Sequence, residues 1–183
     1  MSFAIPLHTA RLTLIPATAA HVTAELAGRD AFATHLGAVV PPSWPPGEYD
    51  EPAQRFFLEC LTRAGAAGDG WYGWYAVRLA DAHAPATVIA AGGYFGPPSA
   101  DGVVELGYSV CDEWRGRGYA SEMVAALAAH AARQPGVALV IAHTSAANPA
   151  SVRVLERSGF VPAPANDAPD TLRFEFGRTS NVM

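Results

Sequence analysis

The sequence contains no lysine; all twelve of its basic residues are arginine. This excludes a lysine Schiff base, and also a Walker-type phosphate loop, which sets a lysine on the phosphates. Charge of either sign is scarce, at 16% of residues, while half of the chain is hydrophobic. That balance belongs to a globular protein and not to a disordered tail. A net charge of −5 argues against nucleic acid or an anionic membrane as the main partner. Only two cysteines occur, Cys60 and Cys111, far apart in sequence. Free thiols in a reducing compartment are expected, not a disulfide framework. The six histidines form no His-x-x-x-His or Cys/His cluster, which disfavours a metal site. No Gly-x-Ser-x-Gly elbow is present, which disfavours a hydrolase triad. No apolar run approaches membrane-spanning length. The stretch Met1–Pro6 lacks the basic region and apolar core of a signal peptide, so the cytoplasm is the expected compartment.

What is present reads as one mixed α/β domain over residues 1–183, without repeats or a linker. Arg11–Pro16 alternates and then runs apolar, as a first strand would. Thr18–Ala27 is helix-like, with Thr18 as cap and Gly28 as stop. Val39–Asp50 is a proline-rich loop around Pro41-Pro42-Ser43-Trp44-Pro45-Pro46, held extended by its prolines. Pro52–Ala64 carries apolar residues near helical spacing. Trp71–Leu79, Thr87–Phe95 and Val103–Cys111 are rich in aromatic and β-branched residues and predict three strands. From Gly118 onward Ala120, Met123, Val124, Leu127, Ala128 and Ala131 fall on one helical face. Val137–Ala142 reads as a strand buried on both faces. Asn148-Pro149 opens a short helix closed by Gly159, and Phe160–Ala163 and Leu172–Arg178 supply two more strands.

The most informative stretch runs from Arg115 to Met123, Arg-Gly-Arg-Gly-Tyr-Ala-Ser-Glu-Met. A glycine turn between a strand and a helix directs several backbone N–H groups, and the positive end of the helix dipole, at one point. Gly116 and Gly118 let backbone approach an anion without Cβ atoms intervening, and Arg115 and Arg117 add charge-assisted donors. A turn that binds nothing is the alternative. A Rossmann site would sit at the first strand with Gly-x-Gly-x-x-Gly spacing, which is not met.

About thirty residues on comes a second signal, Asn148-x-x-Ser151-x-x-x-Leu155-x-x-x-Gly159-Phe160. The ordered pair, Arg-x-x-Gly-x-Ala and then this segment, resembles the GNAT superfamily of N-acetyltransferases. The resemblance is greatest to its ribosomal-protein-acetylating, Rim-type branch, and it runs from Arg11 to Phe176. It implies a central, mostly antiparallel twisted sheet splayed between its fourth and fifth strands and flanked by helices. It also implies acetyl-coenzyme A as co-substrate, with no metal. The pyrophosphate would lie on Arg115, Gly116, Arg117, Gly118, Tyr119 and Ala120. The pantetheine arm would meet backbone groups of Ser109, Val110 and Cys111, with the Val110 amide as the oxyanion donor. Asn148 would contact the same arm, besides capping its helix.

The expected partner is an amine acceptor, either a protein N-terminus or a small molecule, which suits an acidic chain; a homodimer is compatible with the sequence. Glu105, in Glu-Leu-Gly-Tyr, is a charge inside an apolar strand. The resemblance faces it toward the acceptor as general base, and a solvent-exposed strand end is the alternative. Gly107 marks a bulge candidate. Leu155 stands where many relatives carry a tyrosine acid, which leaves Ser151 as the candidate donor to the departing thiolate. Cys111 has no activating surroundings. Trp44 is a candidate acceptor wall, and Trp44, Tyr49, Trp71, Trp74, Tyr94 and Phe95 otherwise read as core. A coenzyme A-binding module without catalysis is the second reading; Glu105 separates the two.

Overall fold

The computed structural model describes residues 4–164 and 170–177. Within them eight strands make one mixed sheet: β1 (Leu7–His8), β2 (Leu12–Pro16), β3 (Gly73–Arg78), β4 (Thr87–Tyr94), β5 (Val103–Val110), β6 (Leu139–Ser145), β7 (Val161–Ala163) and β8 (Thr171–Phe176). Five α-helices flank it: α1 (Ala19–Ala27), α2 (Arg29–Leu36), α3 (Glu51–Ala64), α4 (Tyr119–Ala132) and α5 (Pro149–Arg157). The strands lie in the order β1-β2-β3-β4-β5-β6-β8-β7. Every neighbouring pair is antiparallel except β5–β6, which is parallel. The last strand stops at Phe176, and Arg178 lies outside the described residues.

Helix ends follow the residues that satisfy their orphan amides. The Thr18 hydroxyl accepts from the His21 amide, and the His21 ring accepts from the Thr18 amide. Asp50 caps α3 and Asn148 caps α5, each followed by a proline in the first turn. Gly28 both closes α1 and opens α2. A single hinge residue separates the two helices, so α2 merges with the following loop when read by periodicity alone. At the start of α4 the preceding residue is Gly118, left-handed at φ +82°, with no side-chain cap.

The sheet divides two cores. Leu12, Leu14, Trp74, Val104, Leu106, Val110 and Val140 pack under α4 and α5, against Met123, Leu127 and Leu155. On the other face, Tyr75, Val77, Val88 and Ala91 meet Val22, Phe32 and Leu61 from α1, α2 and α3. Alternation along β4 breaks at Ile89 and Ala90, which share the α4 face. The register slips there, Ala76 facing Ala90 but Val77 facing Val88. This bulge lies on β4, whereas Gly107 pairs in register with Gly93. Gly107 makes room for a neighbour instead: a Cβ there would meet the Phe95 ring at 3.0 Å. Phe95 itself is 54% exposed and does not belong to the core.

The parallel pairing is short. Val103, Val104 and Glu105 face Leu139, Val140 and Ile141, and the pairing ends there. Past Glu105 the rest of β5 stays with β4, while β6 stays with β8. The sheet therefore forks between these strands, at the place the family resemblance implies.

Candidate active site

Along the fork β5 presents a bare edge. The Phe95 amide donates to the Glu105 carbonyl, and the Cys111 amide donates to the Ile89 carbonyl. Alternation in an antiparallel ladder then turns the backbone groups of Gly107 and Ser109 toward β4 as well. Those of Tyr108 and Val110 point the other way, into the opening. Of the three backbone groups expected on a pantetheine arm, Val110 alone is so directed; the Ser109 and Cys111 amides face the neighbouring strand. The Val110 carbonyl accepts from Arg115 Nε at 3.0 Å, leaving its amide toward the fork.

Beyond β5 comes one 3-10 turn, Asp112–Trp114, and then the glycine turn. Gly116 and Gly118 both have positive φ, +72° and +82°. A Cβ built on Gly116 meets nothing within 4 Å, so the turn opens outward. The amides from Gly116 to Ser121 have no acceptor among the described residues. Six donors at the mouth of a helix suit an anion. Of the flanking arginines, Arg115 also pairs with Asp112 at 2.9 Å, and Arg117 lies 5.3 Å over the Trp114 ring. A third arginine reaches the turn from the β1–β2 corner. Arg11 donates to the Arg117 carbonyl, pairs with Glu122 at 2.7 Å, and stacks 4.2 Å over Tyr119. Burial alone would raise the Glu122 carboxyl, but the hydrogen bonds from Thr9 and Arg11 and the charge of Arg11 hold it below its ordinary value. A distance of more than a hundred residues hides Arg11 from any sequence motif.

At the vertex of the fork the Glu105 carboxylate meets His143 Nδ1 at 2.8 Å. The Glu105 side chain is 40% exposed, so it is neither a core residue nor a strand end fully in solvent. His143 is the residue the motifs missed; an apolar strand containing one histidine gives no hint that the ring crosses to the neighbouring strand.

On the opposite face Tyr108 turns its hydroxyl to Ser151 Oγ at 2.8 Å. Burial lifts the Tyr108 hydroxyl above its ordinary value, an effect that the bond to Ser151 opposes. Leu155 is fully buried in the α4-side core and has no access to the fork. A phenol does reach the fork, but from β5 instead of α5. Asn148 is engaged as a cap, its Oδ1 accepting from the Ser151 amide at 3.1 Å. Cys111 is buried, and that burial lifts its thiol, which suits a packing residue and not a nucleophile.

Trp44 is turned inward. Its Nε1 donates to Glu25 Oε1 at 2.7 Å, and its ring packs among Phe32, Tyr49 and Tyr75. The loop that carries it still borders the site: Ser43 bonds Glu113 at 2.7 Å, and a Cβ on Gly47 would stand 3.2 Å from Ser109 Oγ. Among the described residues, no group of three or more His, Cys, Asp or Glu is placed to hold a metal ion, and no helix is long and apolar enough to cross a membrane.

The sheet and its fork put the chain among the acyltransferases. It belongs to the GNAT acetyltransferase family, whose domain model matches residues 11–161. Members of that family carry acetyl groups from acetyl-coenzyme A to an amine acceptor. No curated protein matches the chain in sequence. Among solved structures, an acetyltransferase from Agrobacterium tumefaciens str. C58 is 26% identical, with a TM-score of 0.62 over 94% of each chain. The chain is similar in fold to an acetyltransferase of the same family from Bacillus anthracis, with 15% identity, a TM-score of 0.61, and 94% and 98% of the two chains covered. It is also similar in fold to RimL, a ribosomal L7/L12 α-N-protein acetyltransferase solved with coenzyme A, at 16% identity, a TM-score of 0.61, and 94% and 97% covered.

Proposed function

We propose that the protein transfers the acetyl group of acetyl-coenzyme A to a primary amine by direct attack, with both substrates bound together. The observation that carries this reading is the fork itself: an edge with free amides, bounded by a nest of donors at one end and by Glu105 at its vertex. Acetyl-coenzyme A supplies the activated acetyl group. The pyrophosphate would be held by the Gly116–Ala120 amides with Arg115 and Arg117, and the pantetheine arm would run along Tyr108 and Val110 toward Asn148.

Glu105, steadied by His143, accepts the proton of the incoming ammonium and so frees the lone pair. The Val110 amide faces the position where the carbonyl oxygen gains charge. Ser151, hydrogen-bonded to Tyr108, offers its hydroxyl to the departing sulfur. The acceptor is a primary amine of a protein N-terminus or of a small molecule. RimL, which shares the fold, supports the first class and the acidic chain suits either.

Thiol release from acetyl-coenzyme A, followed over a panel of amines, tests the reading. Glu105→Gln lowers kcat by about 10² with the affinity for coenzyme A nearly unchanged, the usual size of a lost general base. The deficit shrinks as pH rises and the amine loses its proton unaided. Wild-type turnover by the variant at neutral pH would remove Glu105 from the mechanism.

A further inference from the structure

Alternation along β5 puts the side chains of Glu105 and Ser109 on one face of the strand, with Gly107 between them. The vacancy over Gly107 is filled by the Phe95 ring, which lies where a Cβ would come within 3.0 Å of it. Phe95 therefore sets the edge of its ring over Gly107, next along the strand face from Glu105, and its amide is bonded to the Glu105 carbonyl. The far side of the ring is open, since the residue is 54% exposed. It is not a lone surface aromatic. Phe57 of α3 stacks against it with ring centres 6.5 Å apart, and Tyr72 and the 49% exposed Phe56 adjoin Phe57. A contiguous exposed apolar patch of this kind marks a contact surface. Its continuity with Glu105 identifies the occupant: whatever presents its nitrogen to that carboxylate sets its next few atoms on Phe95.

We propose that Phe95 and Phe57 form a side-chain subsite of the acceptor pocket, selecting primary amines that carry a bulky apolar group within two or three bonds of the nitrogen. The proposal rests on the acetyl-transfer reading and specifies its acceptor. Trp44 does not build this wall, because Glu25 holds its ring in the second core. Putrescine carries no bulky apolar group near its nitrogen and so gains nothing from the size of this subsite.

The test compares four acceptors, phenylalaninamide, leucinamide, glycinamide and putrescine, in the wild type, Phe95→Ala and Gly107→Ala. In the wild type, kcat/KM for phenylalaninamide and leucinamide exceeds that for glycinamide by about tenfold or more, the scale set by a hydrophobic pocket. Phe95→Ala brings the ratio close to unity while glycinamide turnover persists. Gly107→Ala, which pushes the ring off the strand, lowers the ratio without removing any aromatic group. Circular dichroism and gel filtration accompany each variant. Turnover of all four acceptors without this ordering overturns the subsite. So does an ordering that survives in a folded Phe95→Ala. A wild-type dimer that dissociates in Phe95→Ala with its acceptor ordering intact assigns the patch to a subunit contact, and also overturns the proposal. Absence of turnover with every acceptor, while coenzyme A still binds, overturns the acetyl-transfer reading itself.

Discussion

Tyr108 and Ser151 meet at 2.8 Å across the fork, and a hydroxyl pair of this kind acts as a unit or not at all. Removing the phenol in Tyr108→Phe keeps the ring and its packing, and leaves Ser151 without the partner that orients it. A net hydrogen bond is worth about 1 kcal/mol, so kcat should fall by about fivefold with KM for acetyl-coenzyme A little changed. Ser151→Ala should do the same, and the double variant should be no slower than either single one. Independent, multiplying losses would show that the two hydroxyls have separate roles. The pair also shows what a sequence conceals. Glu105 and Ser151 stand out, one as a charge in an apolar strand and one at a capped helix start. Tyr108 and His143 do not, because a tyrosine and a histidine in apolar strands look like ordinary sheet residues until a neighbouring element supplies their partner. Phe95 misleads in the opposite sense: composition puts an aromatic at a strand end in the core, whereas the space left by the missing Cβ of Gly107 takes the edge of its ring and leaves the residue at the surface.

The turn from β5 into α4 was legible because each of its tasks needs a particular residue type. Positive φ at residues 116 and 118 calls for glycine, and an uncapped helix start leaves donors pointing outward. Arg11 was not legible, yet it clamps this turn through Glu122 and the Arg117 carbonyl. Gly118→Asp probes the element directly. Its new Cβ would lie 3.4 Å from the Arg11 guanidinium, which gives the added carboxylate a partner within the fold. The same charge stands where the pyrophosphate is to sit, so coenzyme A binding measured by calorimetry should be lost, while the left-handed backbone at residue 118 costs the variant about 1–2 kcal/mol and lowers its melting temperature by about 2–8 °C. Equal affinity in the two proteins would move the anion site elsewhere. Strands and helices with a strong period were equally readable, but α2 and the two-residue β1 were not. One glycine separates α2 from α1, and β1 is too short to show any period. The bulge was expected at the wrong strand, since a glycine suggests one and Ile89 does not.

Across the whole molecule, the second core is tied together by one carboxylate. Glu25 of α1 accepts from Trp44 and Gln54 on one oxygen and from Tyr49 and Tyr75 on the other, at 2.7 to 2.9 Å. A cavity of about 200 Å³ adjoins it, lined also by Arg29, Phe32, Val40 and Pro45. The four donors come from the proline loop, α3 and β3, so Glu25 fixes that loop beside the β5 face. Glu25→Ala leaves several buried donors unpaired, and should cost about 3 kcal/mol or more. The acid form carries a further signature. Burial raises the Glu25 carboxyl above its ordinary value, against the lowering by Tyr75, Trp44, Tyr49 and Gln54. The folded protein therefore keeps this proton to higher pH than the unfolded chain does. The resulting contribution to stability is complete below the unfolded carboxyl value, about 4.3, and is lost as pH rises through the folded value. Glu25→Gln fixes a neutral group at the same place and has no such dependence. The stability of the wild type relative to Glu25→Gln should therefore be greatest at about pH 4 and decline toward neutrality. Melting curves of both proteins between these limits decide the matter: a difference that stays constant, or that grows with pH, would mean that folding lowers or leaves unchanged the proton affinity of Glu25.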